Sequence, residues 1–161
     1  MNLYLKQKLF SIGDKYKFTD LEQKVIYEAK KSVLSLTKIY MYDATGKELF
    51  LIKKKLIAFM PKYTVFNDGK EVLFIKRKFG IRPKFEMVDA GGAIYLLQGD
   101  FLAHDFNISR DGKYIGSIKK KYFSFGDAYE LNIDDNYEPA LFCSIALAID
   151  NCIHNENKQH H

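Results

Sequence analysis

Basic side chains are the chemistry this sequence repeats most regularly. They come in clusters: Lys6 and Lys8, Lys30 and Lys31, Lys53-Lys54-Lys55, Lys76-Arg77-Lys78, and Lys119-Lys120-Lys121. Ammonium groups gathered on one surface hold anionic headgroups at roughly 1 kcal/mol per basic residue near the membrane plane. The same lysines could instead keep strands soluble and discourage edge pairing. Which role applies depends on whether the clusters converge in space. A formal net charge of +5 permits an anionic partner without demanding one. Single-stranded nucleic acid would also require exposed aromatic rings between the charges. Tyr122 and Phe79 are placed for that, but strand alternation gives them an equal claim to the core, and a nucleic-acid partner is disfavoured.

Catalytic chemistry finds less support. Gly13-Asp14 and Gly126-Asp127 sit at matching places in the first and last units of a repeat, and two close carboxylates could exchange protons. An Asp after Gly more often caps a turn through its own backbone. His104 and Asp105 are adjacent, but neighbours on a strand point to opposite faces. His154 stands near the end of a helix, where a cation is favourable. Cys143 and Cys152 are nine positions apart, about 13 Å along a helix axis, too far for a disulfide, whose Cα atoms lie within about 7 Å. Both read as small buried residues. There is no metal-ligand spacing, nucleophile elbow, phosphate loop or dinucleotide fingerprint. The chain therefore reads as non-enzymatic, with no catalytic residue, no metal and no cofactor.

The elements that position the lysines are read from an internal repeat. Each unit opens on basic residues, runs through an apolar stretch and reaches a large ring or aliphatic residue at a fixed offset. Tyr16, Ile39, Tyr63, Phe85, Phe106 and Tyr129 mark the offset and are 23, 24, 22, 21 and 23 positions apart. Gly46, Gly69, Gly92 and Gly112 recur in turn-forming clusters such as Asn67-Asp68-Gly69 and Arg110-Asp111-Gly112, where hairpins require positive φ. Flanking segments such as Tyr63-Thr64-Val65-Phe66 and Glu71-Val72-Leu73-Phe74-Ile75 are rich in β-formers. Six units of two strands predict about twelve antiparallel strands. If each unit follows the same path, the basic clusters lie at similar height and form a partial collar.

After the last unit comes Ala140 to Ile153, announced by Pro139 at a first helical position. From Ala140 to Ile149 only Ser144 is polar. A helix apolar all round is enclosed by protein or lipid, and at roughly 22 Å it is short of the ~20 apolar residues that cross a bilayer. A barrel of about twelve strands is too wide for its own side chains to fill, and the helix is the right filler. Asp150 and Asn151, costly inside, are expected to emerge at the barrel mouth. The fold class is mainly β: a closed antiparallel barrel with a hydrophobic C-terminal helix through its centre.

Phe10-Ser11-Ile12-Gly13-Asp14-Lys15-Tyr16, Gly99-Asp100-Phe101-Leu102-Ala103-His104-Asp105-Phe106, Phe123-Ser124-Phe125-Gly126-Asp127-Ala128-Tyr129 and the final Ala146-Leu147-Ala148-Ile149-Asp150 resemble the LURP-one-related proteins over nearly the whole chain, with bacterial members most similar. The resemblance implies the tubby C-terminal-like fold, a twelve-stranded barrel threaded by a hydrophobic helix, shared with tubby proteins and phospholipid scramblases. It implies no agreed activity. Tubby proteins bind phosphoinositides, but that site has no residue-by-residue match here and is not carried over.

The expected protein is a cytoplasmic binding or scaffold module, with one domain over residues 2–155 and a frayed polar tail over 156–161. Its candidate anion- or lipid-binding residues are Lys53, Lys54, Lys55, Lys76, Arg77, Lys78, Lys119, Lys120 and Lys121, and its leading partner is an anionic phospholipid headgroup. The alternatives are a module binding protein or nucleic acid, and a scramblase-like lipid-handling protein anchored by its helix. No stable transmembrane insertion is expected.

Overall fold

The computed structural model describes residues 1–7, 15–56, 59–80, 84–100, 102–124 and 126–159, with side chains except at 7, 126, 127 and 154–159. The strands are β1 (Asn2–Gln7), β2 (Lys15–Thr19), β3 (Val25–Lys31), β4 (Lys38–Asp43), β5 (Glu48–Lys54), β6 (Lys62–Asn67), β7 (Lys70–Lys78), β8 (Lys84–Asp89), β9 (Ile94–Asp100), β10 (Asp105–Arg110), β11 (Lys113–Phe123) and β12 (Gly126–Ile133), followed by helix α1 (Pro139–Gln159). The strands form one closed barrel in which each pairs with its sequence neighbours and β1 closes on β12. At that seam Leu3 lies opposite Leu131 and Leu5 opposite Tyr129, all antiparallel. Among the described residues, closure pairs every strand on both sides and leaves no open edge to attract another chain.

Period-2 alternation explains the interior. Tyr16, Ile39, Tyr63, Phe85 and Phe106 are the second residues of β2, β4, β6, β8 and β10, and all are buried. Two positions further along the same strands, Phe18, Met41, Val65, Met87 and Ile108 are buried completely. Tyr129 and Leu131 continue the two layers onto β12. The 21-to-24-residue spacing in the sequence is the step from one hairpin to the next around the wall.

The two ends of the barrel differ. One end, here the turn end, carries the tight connections 20–24, 44–47, 68–69, 90–93 and 111–112. Asp68-Gly69 has φ of 47° and 75°, and Asp111-Gly112 has 47° and 84°. Positive φ at both central residues is the type I′ turn that suits right-twisted strands. Close behind the turns the register shifts at Phe18/Thr19, Met41/Tyr42, Val65/Phe66 and Ile108/Ser109. Such bulges add local twist, which helps the sheet curl shut. The opposite end, the loop end, carries the longer connections, among them 32–37, 55–61, 79–83 and 101–104.

The chain leaves β12 at the turn end, so α1 enters there and runs toward the loop end. Glu138 caps it, its Oε1 accepting from the Ala140 N–H at 3.4 Å. Phe142, Cys143, Ser144, Ile145, Leu147 and Ala148 are each at most 1% exposed. Ser144, the polar exception, donates its hydroxyl to the Ala140 carbonyl at 3.1 Å and also meets the Met41 sulfur at 3.4 Å. Helix and wall fit closely at Gly116, where an added Cβ would lie 2.7 Å from Phe142 Cε1 and collide with the Asn132 carbonyl. Neither cysteine is in a disulfide and both are buried. Burial pushes the Cys143 thiol well above its ordinary range.

Two expectations about the helix change. It continues past Ile153 to Gln159, because its last turns are polar and give no apolar signal. Asp150 and Asn151 do not emerge at the mouth; they are 8% and 7% exposed. The physical reason lies in β6: the Tyr63 hydroxyl donates to Asn151 Oδ1 at 3.0 Å, giving the amide the partner that burial demands. Both groups are out of water, and desolvation pushes the Tyr63 phenol far above its usual range.

Candidate functional site

The three clusters of three basic residues all lie at the loop end. Lys53 and Lys54 close β5 with Lys55 just beyond, Lys76, Arg77 and Lys78 close β7, and Lys119, Lys120 and Lys121 fall in the final part of β11. Alternation divides each cluster. Ile52, Ile75 and Ile118 face the core, so Lys54, Arg77 and Lys120 continue the inner row at the barrel mouth, while their neighbours face outward. Burial raises the Cys152 thiol to about 11, and Arg77 and Lys54 oppose that rise from the mouth. Lys120 acts on the other side of the mouth, where burial first and this cation second hold His104 below its ordinary pKa.

The outward lysines cover the outer wall just below the loops. Lys76 and Lys78 approach Glu86 at 3.1 and 3.4 Å, and Lys119 approaches Asp105 at 3.4 Å. Both Glu86 contacts, Lys76 first, hold its carboxyl below the usual carboxylate range. Lys53 lies 4.7 Å over the Phe66 ring. Lys55 and Lys121 are exposed. Pairs this open to water are worth little and leave the local excess of positive charge in place.

A second set of basic residues joins the clusters. Lys15, Lys38, Lys62 and Lys84 are the first residues of β2, β4, β6 and β8, so each begins a strand at the loop end. The sequence signal was available: each stands immediately before an inner-layer residue, Tyr16, Ile39, Tyr63 or Phe85. Lysines on either side of the loops before β2, β4, β6 and β8 thus stand at one height around much of the barrel, whereas the 101–104 loop is flanked by Asp100 and Asp105.

Carboxylates gather at the turn end, for a separate reason. Asp43 Oδ1 accepts from the Thr45 and Lys47 N–H groups at 2.8 and 3.0 Å, and Asp89 Oδ1 accepts from those of Gly91 and Ala93 at 2.9 Å. Asp134 does the same for Asn136 at 2.9 Å. These acids close turns, and hydrogen bonding lowers the pKa values of Asp43 and Asp134. The barrel is therefore charged asymmetrically along its axis.

The loops at the basic end are also apolar at their tips. Leu34 is 96% exposed, Leu36 91%, Phe59 91% and Leu102 94%, and Val33, Leu56, Phe79 and Tyr122 join them. Phe79 and Tyr122, which alternation allowed in the core, are both in solvent. Backbone bonds tie the last residue of three connections to the adjoining strand: Lys54 N–H of β5 donates to Thr37 at 2.7 Å, Arg77 N–H of β7 to Pro61 at 3.2 Å, and Lys120 N–H of β11 to His104 at 2.9 Å. Phe59 and Phe79 pack with ring centroids 5.6 Å apart. The tips stand on a rim braced by hydrogen bonds.

The remaining candidates are His104 with Asp105, the two Gly-Asp copies and His154. His104 Nδ1 shares a hydrogen bond with the Tyr129 hydroxyl at 3.0 Å, while the Asp105 carboxylate approaches Lys119; the adjacent pair is divided. Gly13 and Asp14 lie outside the described residues, as do the side chains of Asp127 and His154. The helix fills the lumen so fully that the crevice between it and Leu5, Phe106, Ile118 and Tyr129 has room for about one water molecule. Among the described residues no group of three or more His, Cys, Asp or Glu side chains is placed to hold a metal ion, and no helix is long and apolar enough to cross a membrane.

Known proteins resemble this chain in sequence or in fold. The chain is 28% identical over 162 residues to "Uncharacterized protein YxjI" of Bacillus subtilis (strain 168), covering 99% of this chain and 98% of that one. The X-ray structure of the Arabidopsis thaliana protein AT5G01750 superposes with a TM-score of 0.68, covering 93% of this chain and 90% of that one at 12% identity. That likeness concerns fold alone. The model of the LURP-one-related family matches residues 1–150, and the chain belongs to the LURP-one-related family.

Proposed function

We propose that the protein is a non-enzymatic module that recognises anionic phospholipid surfaces through the loop end of its barrel. One observation carries the reading: lysines from the ends of β5, β7 and β11 and from the starts of β2, β4, β6 and β8 meet at that end, while the turn-closing carboxylates lie at the other. A positive surface of this kind attracts a negative leaflet over about a Debye length. The packed lumen directs any ligand of appreciable size to the outside.

The alternatives fit the same surface less well. Nucleic acid finds rings in Phe59, Phe79 and Tyr122, yet Leu34, Leu36 and Leu102 offer no face on which a base can stack. A protein interface would be depleted in lysine at its centre. An anchor made of α1 would have to withdraw a helix whose Phe142-to-Ala148 stretch is sealed inside the wall.

Vesicle flotation checks the reading. At low salt the protein is expected to float with vesicles containing phosphatidylserine or a phosphoinositide and to stay behind with purely zwitterionic ones. Release by physiological salt would show that charge supplies most of the affinity. An absence of binding to either anionic vesicle at low salt would discard the proposal.

A further inference from the structure

The loop tips pose a question that the lysines do not answer. Large apolar side chains as exposed as Leu34 at 96% and Leu102 at 94% cost solubility, and soluble proteins rarely concentrate them without a use. Eight of the twelve most exposed large hydrophobic residues, among the described ones, belong to loop-end connections or the strand tip beside them; Met1, Leu21, Ile94 and Tyr114 are the others. The tips lie on several separate loops; basic residues stand at the strand ends below those at 32–37, 55–61 and 79–83, while Asp100 and Asp105 flank the one that carries Leu102.

We infer that these tips enter the hydrocarbon edge of an anionic bilayer, with the loop end down and the turn end facing water. The inference rests on the lipid-surface reading above and adds a depth and an orientation to it. Charge complementarity selects the occupant: the belt of lysines stands at the level where headgroup phosphates would lie once the tips are inserted. Aliphatic and aromatic tips above a basic belt match the layered chemistry of a leaflet, apolar inside and anionic at its surface. A second copy of this chain would bring one lysine belt against another, with like charges opposed. The rim is suited to insertion because the last residues of three connections, Thr37, Pro61 and His104, are held by backbone bonds to β5, β7 and β11, so the ends of those loops need little ordering on binding.

The absence of tryptophan (0 residues) makes the test direct. Single tryptophans are placed at two tips, Phe59→Trp and Leu102→Trp, and at the opposite end in Leu21→Trp, itself 60% exposed. Each full-length variant is mixed with phosphatidylserine vesicles, plain or carrying brominated acyl chains. Both tip variants are expected to shift their emission to the blue and to be quenched by the brominated lipid, and Leu21→Trp to do neither. If the variants bind vesicles while the tip tryptophans keep their free emission, insertion is overturned and the electrostatic reading survives. If no variant binds anionic vesicles, both fall. A blue shift of the tips without lipid, growing with protein concentration, would mean that another copy covers them, and would also overturn the inference.

Discussion

Replacing Lys55, Lys84 and Lys121 together by alanine is expected to weaken binding to anionic vesicles by about 3 kcal/mol, roughly 100- to 200-fold. All three are exposed and stand at the loop end, beside β5, β8 and β11. A matched variant removes Lys24, Lys47 and Lys70, equally exposed but seated at the turn end. The two triples change net charge by the same amount, so a response set by total charge would be the same in both. A docking face requires asymmetry, with the turn-end triple losing only a few-fold. Titration of each variant with vesicles at fixed ionic strength reads the difference, since attraction of this kind varies steeply with salt. Equal losses would show that the lysines act as a diffuse charge and that no end is preferred.

The second large effect concerns the helix inside the wall. Phe142→Ala should cost about 3–5 kcal/mol, a fall in Tm on the order of 10 °C for a chain of this size. Phe142 is completely buried, packs beside Tyr137 with ring centroids 6.1 Å apart and lies against the β11 backbone at Gly116. Gly116→Ala attacks the same contact by overfilling it, at about 1–3 kcal/mol or more; its new methyl also faces the Asn132 carbonyl, which has no freedom to withdraw without disturbing β12. Leu34→Ala, on an exposed tip, should change stability by less than about 0.5 kcal/mol. Urea unfolding of the three variants tests the packing. A Phe142→Ala loss under about 1 kcal/mol would mean that the helix does not bear on the wall at this point.

Much of the architecture could be read from residue spacing, and the reason is repetition. A single alternating segment leaves strand and register ambiguous, but Tyr16, Ile39, Tyr63, Phe85, Phe106 and Tyr129 impose the same register on successive hairpins. Asp68-Gly69 and Asp111-Gly112 fix the turns, and a helix whose ten residues after Pro139 include only one polar side chain can rest only inside something. Three features resisted. Apolar residues at loop tips are of the same types as core residues, so Leu34 and Phe59 carry no local mark of their exposure. The buried Asn151 finds its partner in Tyr63, far away in sequence and brought to it only by the closed barrel. His104 likewise finds its partner in Tyr129, across two strands, rather than in the adjacent Asp105.

The candidate site was legible in half. Periodic lysines could be counted, but not their division into an inner row, Lys54, Arg77 and Lys120, and an outer one. Nor could the sequence join them to Lys15, Lys38, Lys62 and Lys84, which belong to partner strands running the other way. Antiparallel pairing brings strand ends and strand starts to one height, so a basic belt arises from residues at opposite edges of each repeat.

Hydrogen exchange on the unmodified chain, with and without phosphatidylserine vesicles, examines the proposed orientation without any substitution. Added protection should be concentrated in the loop-end connections, 32–37 and 102–104 above all, leaving the turns at 44–47 and 90–93 exchanging as before. Protection confined to the turns, or spread evenly over both ends, would contradict a membrane-facing loop end.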